Sequence, residues 1–267
     1  MKFLNALSLA PDVNTWLVNS HRPRVLHVFE HACNLMNEHG EILSVVAPPI
    51  GNGPFNLVLD NDTRFTDILD IVSDIAVQET QLQVGTLTIN TTGATLWDPK
   101  PQWGMLHTKR DEFVSRLARS SQFSNSPISD FAISLANADF PTAKTLASQF
   151  AGLGIGLTPS SDDFILGALY AAWIIHPPAI TLRLAEEIAN SAAPLTTSLS
   201  RAWIRAAAKG EAGIRWHEFF DAVISSNDDQ IQVAVNKIIS IGATSGADAL
   251  TGFFDTLISY AEATCHS

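Results

Sequence analysis

Residues 152–167 read GLGIGLTPSSDDFILG, with glycines at 152, 154 and 156, a proline and two serines ahead of Asp162 and Asp163. A glycine-rich loop that opens a helix presents backbone N–H groups to an anion. Here acid stands where a phosphate loop would place its lysine. Donors and carboxylates in one loop suit a ligand with both an anionic part and amide hydrogens, or a bridging Mg²⁺. A plainer reading assigns every polar residue to capping. Thr158 or Ser160 is a natural N-cap, and with Thr158 as the cap Pro159 falls at the first helical position. Asp162 and Asp163 then face the helix dipole in the first turn, a gain of roughly 0.3–1 kcal/mol each. Capping explains neither the three alternate glycines nor the following segment, FILGALYAAWII, which is apolar on every side.

A second segment, IGATSGADALTGFF (241–254), repeats this grammar with Gly242, Thr244, Ser245, Gly246 and Asp248 before another apolar run. Asp163 and Gly167 share the spacing of Asp248 and Gly252, four residues apart and so on one helix face. The glycines predict two buried helices crossing at Gly167 and Gly252. The two loops would then form one site, with Asp163 and Asp248 facing a single pocket.

The elements that must position these loops change character near residue 105. Before it, VLHVFEHACNLMNEHGEILSVVAP reads as two β-rich runs with a hairpin at Asn37-Glu38-His39-Gly40. GNGPFNLVLD and QLQVGTLTINTTGATLW read as strand and turn, and Thr66–Ile75 predicts a short helix. From Arg110 onward RDEFVSRLARS, PTAKTLASQFAG, AITLRLAEEIANSA, PLTTSLSRAWIRAAAKG, WHEFFDAVISS and DQIQVAVNKIIS carry apolar residues three and four apart. The expectation is an α+β protein. A β-rich domain over 1–104 precedes an all-helical domain over 105–267 with two central buried helices. The joint falls in WDPKPQWGMLHTK, where Pro99, Pro101 and Gly104 resist helix and central strand.

Composition narrows the partners. Sixteen basic against 27 acidic residues, a net charge of −11, disfavours nucleic acid. No apolar run approaches the ~20 residues of a membrane span. Cys33 and Cys265 make no disulfide framework, which points to a reducing, cytoplasmic setting. The opening MKFLNALSLA imitates a secretion signal only faintly, because its apolar stretch is short and contains Asn5.

The two loop motifs together resemble the family that includes the smallest subunit of the three-part oxamate carbamoyltransferase of anaerobic allantoin breakdown, a branch of purine catabolism. The family's first motif reads Gly-x-Gly-x-Gly-Leu-Thr-Pro-Ser-Gly-Asp-Asp, matched from Gly152 to Asp163 with Ser161 in place of the last glycine. The second is matched from Gly242 through Asp248 to Gly252, and Thr196-Thr197-x-x-Ser200 and Arg205 through Gly210 also fit. The N-terminal half is similar more loosely, in NLMNEHGEILSV and Gly53-Pro54. Ser161 forgoes the freedom of a positive φ, which bears on loop geometry.

The resemblance implies phosphorolysis of oxalurate to oxamate and carbamoyl phosphate by an assembly with two other subunits. Such chemistry needs a phosphate seat, donors for the oxyanion and a group for the leaving nitrogen. N–H groups around Gly154, Gly156 and Gly246 would supply donors. Thr158, Ser160, Asp162, Thr197, Ser200, Thr244 and Ser245 complete the expected anion-binding set. Asp163 or Asp248 would orient the carbamoyl N–H₂ or hold Mg²⁺. Arg201 and Arg205, one helical turn apart, would neutralise an oxoacid, or else cover a helix surface with their charge in water. The alternative is a non-catalytic binding or assembly subunit, favoured by an acidic site without an obvious general base.

Other motifs carry less. His27-Val-Phe-Glu30-His31 has the lettering of a zinc-peptidase motif, but the flanking residues read as strand, which would part the imidazoles by ~13 Å. Asp228-Asp229 reads as a helix start, Glu186-Glu187 as a solvated face and Cys33 as strand core.

Overall fold

The computed structural model describes residues 2–119 and 129–265, without the side chains of 117–119. The chain divides into two compact units, residues 1–99 and 100–267.

The first unit is a nine-stranded sheet. Its strands are β1 (Lys2–Leu9), β2 (Arg24–Val28), β3 (Ala32–Met36), β4 (Ile42–Val46), β5 (Asn56–Leu59), β6 (Ile75–Gln78), β7 (Gln81–Val84), β8 (Leu87–Asn90) and β9 (Thr95–Leu96). The order is β2-β3-β4-β5-β1-β8-β7-β6, with β9 also on β1. β1 lies at the middle, antiparallel to β5 and parallel to β8 and β9. β4 and β5 are buried throughout, as strands paired on both edges and covered on both faces must be.

The expected hairpin is present. Met36 pairs with Ile42, Gly40 takes φ +77°, and Asn37 Oδ1 accepts the N–H groups of His39 and Glu41 at 3.0 and 2.9 Å. Cys33 is fully buried, and burial pushes its thiol up to about 12.

Four sequence expectations need correction. Helix α1 (Pro11–Asn19) was not anticipated, although Pro11 at its start and Asp12 in its first turn are ordinary helix-opening signals. It buries Val13, Trp16 and Leu17, and Trp16 Nε1 donates to the Glu41 carbonyl at 3.0 Å. The helix expected over Thr66–Ile75 is only a 3₁₀ turn at Phe65–Asp67. Asp70 and Ser73 close a competing turn there, with Val72 N–H donating to Asp70 Oδ1, and Ile71 and Val72 stay exposed. His27 and His31 do not share a strand, because the chain turns between β2 and β3. His31 Nδ1 instead approaches Asp62 at 3.2 Å. Finally, Gly104 does not resist helix: α2 (Trp103–Thr108) runs through it.

The second unit is helical, and no strand occurs beyond Leu96 among the described residues. Its helices are α2, α3 (Arg110–Arg119), α4 (Asp130–Ala136), α5 (Phe140–Phe150), α6 (Ser160–Ile175), α7 (Pro178–Ala192), α8 (Ser198–Ala208), α9 (Ile214–Ile224), α10 (Asp228–Ile239) and α11 (Ser245–Cys265). Each of the six segments expected to be helical carries a helix, but residues 194–197 of the fourth form a 3₁₀ turn and cap before α8, and Ser120, at the end of the first, lies outside the described residues. α4 was not anticipated. Asn227, just before Asp228, caps α10 by accepting the Gln230 N–H.

α6 and α11 form the most extensive helix pair and stand at the centre, with α2, α4, α5, α7 and α8 around α6 and α3, α4 and α10 around α11. α6 is buried on all sides from Ile165 to Ile175, which its continuous apolar sequence required. The helices cross where the glycines predict. A β-carbon on Gly167 would lie 2.6 Å from the Ala249 carbonyl carbon, and one on Gly252 2.8 Å from that of Phe164. Tyr170 and Trp173 of α6 join an aromatic cluster with Trp103, Trp216 and Phe220. Their polar ends are satisfied: Tyr170 donates to the Glu211 carbonyl and Trp173 to that of Ala207. No helix among the described residues is long and apolar enough to cross a membrane.

Candidate functional site

Gly152, Gly154 and Gly156 take φ +76°, +122° and +99°, so the alternate glycines are a backbone requirement. Gly154 also lies so close to the start of α6 that a β-carbon would sit 2.7 Å from Ser160 N. Three hydroxyls and one carboxylate pin this loop. Asp162 Oδ1 accepts the Gly152 N–H at 2.8 Å, and its Oδ2 accepts the Thr196 hydroxyl. Thr197 caps α8 by accepting the Ser200 N–H at 3.1 Å and donates to the Leu157 carbonyl at 2.6 Å. Ser161 Oγ reaches the Phe150 and Leu153 carbonyls at 2.6 and 2.7 Å. Ser161 therefore fits the loop without backbone strain. Position 161 is in the first turn of α6 and needs no positive φ, and its hydroxyl ties the loop to its own helix.

The capping account does not describe this start. Pro159 occupies the N-cap position and no side chain caps α6. Thr158 Oγ1 instead meets Ser245 Oγ at 2.8 Å and so joins the first loop to the start of α11. The beginnings of α6, α8 and α11 are thus bound together through Asp162, Thr196, Thr197, Thr158 and Ser245.

Asp163 and Asp248 occupy the first turns of α6 and α11 and interact with each other. Asp163 is 8% exposed. Burial pushes its carboxyl up to about 7, opposed by the Ser245 and Thr158 hydroxyls beside it and assisted by the charges of Asp248 and Asp162. Asp163 Oδ2 and Asp248 Oδ2 are buried without a hydrogen-bond partner, and so is Ser200 Oγ in the first turn of α8. Orphaned buried oxygens are costly and uncommon, about 1–3 kcal/mol each, and are expected where a ligand or an ordered water supplies the missing donor.

The remaining expected residues separate into two groups. Among the described residues the N–H groups of Gly154 and Gly156 donate to no backbone acceptor, and Ser160 stands at the open end of α6. The Gly246 N–H is taken by the Ile241 carbonyl at 3.1 Å, so it is no anion donor. Gly246 lets α11 press against Ile238 of α10. Thr244 offers its carbonyl to the Asp248 N–H, and Asp162 has both oxygens occupied by the loop. Arg201 Nε donates to the Ala193 carbonyl at 3.0 Å. Arg205 is exposed in the last turn of α8, about 10 Å along the axis from the end that meets the loops. Thr158, Thr197 and Ser245, expected in the anion-binding set, also link the loops, a pairing that their positions in the sequence do not reveal.

Two family models match the chain. The AllH family N-terminal domain covers residues 5–96, and the oxamate carbamoyltransferase subunit AllH covers residues 150–257. The chain belongs to the AllH family. The AllH match begins at the glycine loop and includes the starts of α6, α8 and α11, the segments that build the candidate site. No solved structure matches the chain.

Proposed function

We propose that the chain is a catalytic subunit of a carbamoyl-transferring enzyme that converts oxalurate and phosphate to oxamate and carbamoyl phosphate in the cytoplasm, together with two other subunits. One observation carries this reading: a buried carboxyl, Asp163, titrating near neutrality beside Asp248, with an oxygen of each left unpartnered. The sequence alone offered no obvious general base, and a carboxyl shifted to about 7 fills that role. A phosphate oxygen attacks the carbamoyl carbonyl and the C–N bond to the oxamate nitrogen breaks. That nitrogen takes up one proton as phosphate releases one. Asp163 carries the proton between them, while Asp248 accepts the carbamoyl N–H₂. The open N–H groups of Gly154 and Gly156 seat the anionic portion.

Mg²⁺ between Asp163 and Asp248 is a second way to join acid with phosphate. Among the described residues no group of three or more His, Cys, Asp or Glu has metal-holding geometry, so such an ion would take its other oxygens from substrate and water.

Asp163→Asn and Asp248→Asn keep shape and remove the acid. Each should abolish turnover of oxalurate and phosphate by the reconstituted complex while leaving the circular dichroism spectrum unchanged. Turnover at the parent rate in both variants would instead favour the non-catalytic assembly role.

A further inference from the structure

The rim of this site is apolar and uncovered. Ile155 is 93% exposed at the tip of the glycine loop, and Leu153, Leu157 and Leu195 are exposed beside it. The loop is not loose: three glycine conformations, Asp162, Ser161 and Thr197 hold it, so these side chains are displayed on a rigid support. Gly152 packs against the Leu195 carbonyl, which puts the two halves of the rim side by side. Rigidly displayed apolar residues around a polar centre are the pattern of a protein interface.

Charge specifies what fits. Segments 150–163, 193–200 and 240–248 carry Asp162, Asp163 and Asp248 and contain no Lys, Arg or His. The nearest arginine in sequence, Arg201, is engaged by the Ala193 carbonyl. The two orphaned carboxylate oxygens receive no donor from the described residues. An oxoacid substrate needs a cation that these segments lack.

We infer that the Leu153–Ile155–Leu157–Leu195 rim docks a segment of a companion subunit, and that this segment carries a Lys or Arg, flanked by apolar residues, that meets the oxoacid end of the substrate. The site is then composite: this chain contributes acid and backbone donors, and the partner contributes the cation and the cover. A second copy of this chain fits less well, since the chain bears 16 basic residues against 27 acidic ones. The inference rests on the carbamoyl-transfer reading for the identity of the partner.

The test uses the full chain mixed with the two companion subunits of its own source, with assembly followed by analytical ultracentrifugation. Ile155→Glu and Leu195→Glu alter exposed side chains, so the melting temperature should not move. Each should weaken assembly at least about tenfold, as loss of an interface anchor does, while Ile155→Met assembles normally. Affinity of the parent should fall between about 0.05 and 0.5 M salt. Parental assembly by both Glu variants overturns the inference, even if the Asp163→Asn result upholds the catalytic reading. Rim-dependent assembly with full turnover by Asp163→Asn sinks the catalytic reading and leaves the rim standing. A change confined to self-association of this chain identifies a second copy as the occupant and refutes the proposal, as does failure of the parent to assemble.

Discussion

Asp162 and Asp163 are neighbours with the same side chain, and α6 turns them about 100° apart. Asp162 meets the Gly152 N–H and the Thr196 hydroxyl and becomes a fastener, whereas Asp163 is left with an orphaned oxygen beside Asp248. Sequence pairs Asp163 with Asp248 through their common spacing to a glycine. It cannot separate the roles of 162 and 163, because the deciding partner, Thr196, is 34 residues away. The raised pKa of Asp163 has a signed consequence for stability. Its folded value, about 7, lies above the ordinary carboxylate value, so its contribution is intact below about pH 4 and is lost as pH rises through 7. The loss is at most about 4 kcal/mol. Asp163→Asn should remove it, becoming more stable than the parent above pH 7 in urea titrations. Asp255, which burial raises to about 6, adds a dependence of the same sign to both proteins and cancels in the comparison. Parallel stability curves from pH 4 to 8 would contradict the buried environment assigned to Asp163.

At the scale of elements, the helices with three- and four-residue apolar spacing were legible, and so was the crossing of α6 with α11. The short elements were not. α2 and α4 are six and seven residues long, too short for periodicity to register, and they are sustained by packing. The Asp70–Ser73 turn displaces a helix whose apolar spacing looked adequate, because two side chains satisfied the backbone locally. The glycine crossing admits a sharp test, since the two influences on Gly167→Ala have opposite signs. Helix propensity alone favours alanine by roughly 0.5–1 kcal/mol. The structure puts that methyl group into the Ala249 backbone, so alanine should destabilise by about 1–3 kcal/mol through overpacking. A rise in the urea midpoint would mean that α6 and α11 do not touch there.

For the molecule as a whole, strand character ends at Leu96 and helix governs the described residues beyond it, a division written in the change of hydrophobic period. What the period does not carry is strand order. No strand was read over Lys2–Leu9, whose short apolar stretch only faintly imitated a secretion signal, yet β1 is the strand on which three others converge. Backbone amide hydrogen exchange on the intact chain should therefore find β1 among the slowest segments of its sheet, with the edge strands β2 and β6 exchanging faster. Equal rates across these strands would count against the order. The position of β1 also sets a timetable. β1 is translated before the other strands of this sheet yet is among the last to be completed, because its parallel partner β8 stands 85 residues further along, as between Asn5 and Asn90. At about 5–20 residues per second, translation leaves β1 waiting roughly 4–17 s for that neighbour. During this interval the edge of β1 that β8 will cover stays open even once β5 has paired with the other edge, so a chaperone that shields the emerging β1 should raise the yield of folded protein.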